Sequence, residues 1–241
     1  MARRHDARNW IQRIVASVSL CAAVSSAIAM VHAQSAAPTP VRLATEDGGL
    51  IHGDLYGTGP RGVVLAHGGR FNKGSWAAQA RELAAAGFRV LAIDFRGYGD
   101  STGPGTSDIF TAPLYLDVLA GVRHLRATGA TTVAAMGGSL GGSAAADAVI
   151  AEPGAIDRLI LLGSTPDGDP EKLVVRKLYI ATLDDTSGDG PRLPGLRAHF
   201  DKAPEPKTLI LLEGTAHAQF MFQTDLAGRV MREILQFLSA P

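Results

Sequence analysis

From Pro38 onward, short apolar runs alternate with segments in which apolar side chains recur at the spacing of a helix. Strands covered on both faces read as continuous apolar runs, because neither face meets water. The alternation therefore predicts an α/β fold with a mostly parallel central sheet and helices on both of its faces. The predicted buried strands are residues 62–66, 88–93, 132–136, 159–162, 178–181 and 209–212.

Two further runs, residues 41–45 and 50–56, precede these strands and are separated by Glu46-Asp47-Gly48-Gly49. They predict an antiparallel hairpin at the start of the sheet, which brings the total to about eight strands. Apolar residues at helical spacing predict the helices, and we assign these residues to the core. The sets are Trp76, Ala80, Leu83 and Ala84; Tyr115, Val118, Leu119, Val122 and Leu125; and Leu226, Val230, Ile234 and Phe237.

The amino terminus has a different pattern. Four arginines precede an apolar stretch over residues 14–31, which ends in Val31-His32-Ala33. This order predicts a signal peptide over residues 1–33, cleaved after Ala33, and an exported domain over residues 34–241 that is periplasmic or secreted and leaves the membrane. The alternative is an uncleaved anchor, although serines and alanines make the stretch a poor spanning helix. A lipidated Cys21 is disfavoured because Leu20 precedes it.

Composition narrows the possible partners. Residues 1–33 hold four of the 23 basic and one of the 23 acidic side chains. The remaining 208 residues therefore carry 19 basic and 22 acidic side chains, a net charge of −3. This balance argues against a nucleic-acid partner, and the length fits one domain. The one cysteine lies in the leader, so the domain has no disulfide and no thiol nucleophile. No pattern indicates an oligomeric state.

A candidate nucleophile follows the strand at residues 132–136. The segment Gly137-Gly138-Ser139-Leu140-Gly141 closes this strand and opens an alanine-rich helical stretch. A serine on so sharp a turn needs glycine two positions before and after it, because a Cβ there would meet neighbouring backbone. The helix that begins at Leu140 directs free N–H groups at the position where an oxyanion would form. Ser139 is therefore the predicted nucleophile.

Other candidates follow neighbouring strands, at the sheet edge where open parallel sheets place their sites. His67-Gly68-Gly69-Arg70 ends the first parallel strand. Gly69, or alternatively Arg70, can supply a second oxyanion N–H beside that of Leu140. We expect His67 to brace this loop, and Asp94 and Arg96 to fix the loop after the next strand.

Ser139 needs a general base and an acid that orients the base. Among the histidines beyond the leader, His52 lies in the hairpin and His124 and His199 lie in helical stretches, whereas His217 follows the last strand. His217 is therefore the predicted base. Asp184 and Asp185 both follow the penultimate strand, and Asp167 follows the strand before it. Asp185 is favoured because it lies a turn beyond the strand end.

Together, His67-Gly68-Gly69, the loop Asp94 to Ser101, the turn around Ser139 and the order Ser139, Asp185, His217 resemble the α/β-hydrolase fold serine hydrolases. The resemblance is to the dienelactone-hydrolase-like or small-esterase members, and it covers nearly all of residues 34–241. Many relatives have glycine where this chain has Thr182, which leaves the choice between Asp184 and Asp185 open. Relatives often insert a cap domain at residues 165–177, but this segment is too short for one. Little or no cap and an open cleft with little apolar wall are therefore expected.

The resemblance implies a Ser-Asp-His triad that cleaves carboxylic esters or thioesters through an acyl-serine, so a small-molecule ester or acyl compound is the expected substrate. No metal or organic cofactor is implied, because no cluster has metal-ligand spacing and there is no phosphate-cradling glycine loop. A second class of function remains open, because one fold can serve many functions. In that class the chain is a catalytically silent domain that binds a ligand or a protein.

Overall fold

The computed structural model describes residues 37–240, and the predicted leader lies outside this range. Its core is an eight-stranded sheet in the order β1-β2-β4-β3-β5-β6-β7-β10. β1 and β2 form the predicted antiparallel hairpin, β2 is also antiparallel to β4, and all other neighbours are parallel. The strands are β1 Thr39–Ala44, β2 Leu50–Tyr56, β3 Arg61–Ala66, β4 Phe88–Ile93, β5 Thr132–Gly138, β6 Arg158–Leu162, β7 Arg176–Thr182 and β10 Lys207–Leu212.

Within residues 37–240, five α-helices lie between or after the strands. They are α1 Ala77–Ala85, α2 Leu114–Ala127, α3 Leu140–Ala151, α4 Leu193–Lys202 and α5 Ala227–Ser239. Alternate residues of a strand point to opposite faces, so Val64 packs with α2 and α3 residues while Val63 and Leu65 pack with α1 and α5 residues. The sheet is thus covered by helices on both faces, as predicted. No helix within residues 37–240 is long and apolar enough to cross a membrane.

The last strand differs from the prediction in its burial. β10 pairs only with β7, at the edge of the sheet, and residues 207–211 are half-buried or exposed. The run is covered on both faces, as predicted, but it is only partly buried, because an edge strand has a neighbour on one side only. Its apolar side chains still pack on both core layers, which explains why the sequence reads as a buried run.

Two features lie near the carboxyl end of the sheet. A two-stranded hairpin, β8 Thr186–Ser187 and β9 Gly190–Pro191, follows β7 and was not predicted. The segment 165–177 contains the 3₁₀ turn Pro170–Lys172 and the first two residues of β7, so the prediction of little or no cap is confirmed. Parallel pairing aligns Ala66 of β3 with Gly137 of β5, and Leu212 of β10 with Thr182 of β7. The loops that carry the candidate residues therefore leave the sheet at one edge.

Candidate active site

Ser139 occupies a strained turn between β5 and α3. Its φ is 51° and its ψ is −123°, a conformation that a residue with a Cβ rarely adopts. A Cβ on Gly137 would lie 2.2 Å from the carbonyl oxygen of Gly141, and one on Gly141 would lie 2.3 Å from that of Ala66. Both glycines are therefore sterically required. The backbone N–H of Ser139 donates to the carbonyl of Leu162 at 3.1 Å, which ties the turn to β6.

The three residues predicted as a triad form one hydrogen-bonded chain. His217 Nε2 lies 2.9 Å from Ser139 Oγ, and His217 Nδ1 lies 2.6 Å from Asp185 Oδ2. Asp185 is 2% exposed, so little water competes for its carboxylate. With the proton on Nδ1, the imidazole donates to Asp185 and accepts from the Ser139 hydroxyl. This arrangement lets His217 take the proton of Ser139 while Asp185 stabilises the imidazolium.

The alternative acids lie elsewhere. Asp184 is exposed, and its backbone N–H donates to the carbonyl of Gly214 at 3.0 Å. Asp167 is also exposed and lines a separate small cavity. Thr182, which replaces the glycine of many relatives, donates from Oγ1 to the carbonyl of Ala216 at 3.1 Å. Its hydroxyl thus holds the loop that carries His217.

The predicted oxyanion donors are adjacent. A Cβ on Gly69 would contact the Leu140 side chain at 3.6 Å. Within residues 37–240, the N–H groups of Leu140 and Gly69 have no hydrogen-bond acceptor. Both groups are therefore free to bind a substrate oxygen. Arg70, the alternative to Gly69, is exposed as Gly69 is, and its N–H also has no acceptor among these residues.

Gln219 supports this loop and was missed by the sequence analysis. It is buried, its Oε1 accepts from the N–H of Gly68 at 2.9 Å, and its Nε2 donates to Ser75 Oγ at 2.7 Å. The amide thus connects the loop after His217 to the loop after β3. The available signal was its position two residues beyond His217, and only the tertiary structure brings it to Gly68.

His67 is held inside this framework. It is fully buried, its Nδ1 lies 2.9 Å from the carbonyl of Gly68, and its Nε2 accepts from the N–H of Phe95 at 3.3 Å. Burial lowers the pKa of His67, which favours the neutral ring that these contacts need. His67 therefore sits as a brace between two loops.

Asp94 and Arg96 also occupy bracing positions. Asp94 Oδ1 accepts from the N–H of Lys73 at 2.7 Å. Arg96 is buried and pairs with Asp117 at 2.7 Å and with Asp47 at 2.5 Å. Arg96 holds the pKa of Asp47 at about 2, because its guanidinium stabilises the carboxylate. These charges lock the loop after β4 against α2 and the β1–β2 turn.

A cleft of about 280 Å³ opens over Ser139 and His217. Phe71, Phe110 and Phe220 line it, and the rings of Phe71 and Phe220 lie 4.8 Å apart. The expectation of little apolar wall was therefore wrong, because phenylalanines from three loops line the cleft. Arg70 and Arg192 add positive charge to the rim. Across residues 37–240, no group of three or more His, Cys, Asp or Glu side chains could hold a metal ion.

Comparison with known proteins places the chain in a fold family. A family model described as alpha/beta hydrolase fold matches residues 62–201. The chain is 50% identical over 54 residues to bifunctional epoxide hydrolase 2 of Rattus norvegicus, which is 22% of this chain and 10% of that protein. It is 34% identical over 121 residues to a 2-hydroxy-6-oxononadienedioate/2-hydroxy-6-oxononatrienedioate hydrolase of Cupriavidus pinatubonensis, which is 49% of this chain and 41% of that protein. The matched segments thus span less than half the length of these curated relatives.

Solved structures show the same fold over a larger share of the chain. An esterase of Pyrococcus furiosus superposes with a TM-score of 0.70 at 17% identity, covering 85% of this chain and 93% of that one. Epoxide hydrolase A of Mycobacterium thermoresistibile gives a TM-score of 0.65 at 19% identity, covering 83% and 98%. Since the family model spans more than half of the chain, the protein belongs to the alpha/beta hydrolase fold family.

Proposed function

We propose that this protein is a serine hydrolase that cleaves carboxylic esters or thioesters through an acyl-serine intermediate. Ser139 is the nucleophile, His217 the general base and Asp185 the acid that orients His217. The N–H groups of Leu140 and Gly69 form the oxyanion hole. The observation that carries the proposal is the continuous chain from Ser139 Oγ through His217 to Asp185, with contacts of 2.9 and 2.6 Å.

The reaction follows from the positions of these groups. Ser139 Oγ attacks the carbonyl carbon as His217 Nε2 takes its proton, and the two N–H groups bind the oxyanion. The tetrahedral intermediate expels the alcohol or thiol, which receives the proton from His217. Water then attacks the acyl-serine with His217 again as base, and Ser139 is regenerated as the acid product leaves.

The cleft indicates the substrate class. Its phenylalanine walls favour an apolar or aromatic group next to the scissile carbonyl, since burying apolar area contributes about 25 cal/mol per Å². The segment 165–177 forms no lid, so the cleft is open to water. Both features suit a small apolar ester that is hydrolysed rather than transferred to another alcohol.

Epoxide hydrolysis, the activity named for several relatives, fits this site poorly. Opening an epoxide with Ser139 Oγ would give a serine ether, which has no carbonyl for water to attack. An acyl-serine has one, so only acyl transfer regenerates this nucleophile by simple hydrolysis.

We also propose that residues 1–33 are removed on export, so that the hydrolase works in the periplasm or outside the cell. The supporting pattern is the basic, apolar and small-residue order of the leader.

Turnover of 4-nitrophenyl butyrate by the chain lacking residues 1–33 tests the proposed activity. Ser139→Ala should lose at least about 10⁴-fold in kcat, because it removes the nucleophile. Ser143→Ala, one helical turn further along α3, is the matched control and should retain activity. A folded wild type without activity toward esters and thioesters would instead support the silent binding domain.

A further inference from the structure

The two carboxylate oxygens of Asp185 have different surroundings. Oδ2 contacts His217, whereas Oδ1 is buried and has no hydrogen-bond partner among residues 37–240. A buried carboxylate oxygen needs a hydrogen-bond donor or a positive charge beside it. Some other group must therefore stabilise the charge on Oδ1.

Arg192 is placed to do this. Its Nε lies 3.5 Å from Asp185 Oδ1, within ion-pair distance. Its backbone N–H donates to the carbonyl of Asp185 at 2.9 Å, and the β8–β9 hairpin closes the loop between the two residues. The short loop from Asp185 to Arg192 thus holds the guanidinium beside the carboxylate.

The groups facing Asp185 are few. His217 comes from the loop after β10, and Arg192 and His199 come from the start and the body of α4. Arg192, His199 and Ser164 line, with Asp185, a cavity of about 250 Å³ behind the triad. Ser164 Oγ and His199 Nδ1 also lack hydrogen-bond partners among the described residues. The fixed positive charge in this group is the guanidinium of Arg192.

We propose that Arg192 is a positioning residue: its guanidinium holds Oδ1 of Asp185 and so keeps Oδ2 directed at His217. Arg192 also lines the substrate cleft, so it lies between the cavity behind the triad and the cleft in front of it. The proposal rests on the proposed function for its kinetic readouts only. The pairing itself can be measured without any substrate.

The kinetic experiment compares Arg192→Gln, Arg192→Lys and the control Arg197→Gln, an exposed position on the same helix, with a neutral nitrophenyl ester. Removing a positive charge favours the protonated form of titratable groups beside it. The acid limb of the pH profile of kcat should therefore move up by about 0.5 to 1 pH unit in Arg192→Gln. The value of kcat should fall about three- to tenfold with KM unchanged. Arg192→Lys and Arg197→Gln should stay close to the wild type.

Three kinetic results would overturn the proposal. One is an Arg192→Gln variant whose kcat and whose acid limb of the pH profile are the same as those of the wild type. Another is a change in KM alone, which would make Arg192 a substrate contact. The third is an equal loss in Arg192→Lys and Arg192→Gln, which would show that shape rather than charge matters.

The substrate-free measurement follows the downfield ¹H resonance of the His217 Nδ1–H during a pH titration. Its midpoint should move up in Arg192→Gln, and an unchanged midpoint would refute the role of Arg192. If the wild type shows this resonance and this dependence on Arg192 but hydrolyses no ester, the proposed function fails while the positioning role stands.

Discussion

Replacing the triad acid tests the assignment of Asp185 against its neighbour. In Asp185→Asn, one amide atom must face His217 Nδ1 and the other must face Arg192, whose Nε lies 3.5 Å from that position. The guanidinium attracts the amide oxygen, so the NH₂ group turns toward His217 Nδ1. Two donors cannot share that contact, and His217 must carry its proton on Nε2 instead.

The consequence for catalysis is large. With its proton on Nε2, His217 donates to Ser139 and cannot accept the hydroxyl proton. The imidazolium also loses its counter-charge at 2.6 Å. We expect kcat to fall roughly 10⁴-fold, the size of effect known for acid-to-amide changes in serine triads. At 1.36 kcal/mol per factor of ten, this corresponds to about 5 kcal/mol of transition-state stabilisation.

The assay is kcat for 4-nitrophenyl butyrate near pH 8, with thermal unfolding as the control for folding. Asp184→Asn is the matched variant, because it removes one carboxylate from an exposed neighbouring position. It should lose less than about twofold, since exposed charges contribute little. The reverse ranking would transfer the role to Asp184. Equal small losses would leave Asp167 as the acid and refute the geometry described above.

Three further predictions concern other parts of the molecule. Lys177 is fully buried, with its Nζ donating to the carbonyl of Pro204, and burial lowers its pKa to about 8. The unfolded chain binds this proton more tightly, so the free energy of unfolding should rise between about pH 8 and 10.5, and this rise should be absent in Lys177→Met. Urea unfolding of both proteins across this pH range measures it, and an equal pH dependence in the two proteins would refute the assignment. Intact-mass spectrometry of the exported chain should give a terminus at Gln34, and a membrane-bound chain beginning at Met1 would mean an anchor. Across nitrophenyl esters from acetate to palmitate, kcat/KM should rise over the first few carbons, by at most the equivalent of about 0.8 kcal/mol per methylene, and then level off. Phe220→Ala should remove the rise, and a steady increase to palmitate would reveal a longer groove.

The sequence alone predicted the features that depend on local pattern. Apolar runs located the strands of the sheet, and the glycines around Ser139 identified a turn that only glycine can flank at Gly137 and Gly141. Pattern could not decide between Asp184 and Asp185, because adjacent loop residues differ only in where the folded loop directs them.

Contacts between distant segments could not be predicted from the sequence. Gln219 meets Gly68, 151 positions away, and the phenylalanines of the cleft come from separate loops. The partial exposure of β10 could not be predicted for a similar reason, since its place at the sheet edge depends on strand order rather than on composition.

The central claim is that Ser139 is an activated nucleophile, and covalent labelling tests it most directly. A fluorophosphonate probe traps a serine made nucleophilic by a neighbouring base, and peptide mass spectrometry identifies the modified residue. The account predicts one phosphonyl group per chain, on Ser139, with no labelling of folded Ser139→Ala and little of His217→Ala. An unlabelled folded wild type, or a label that persists in Ser139→Ala, would contradict it.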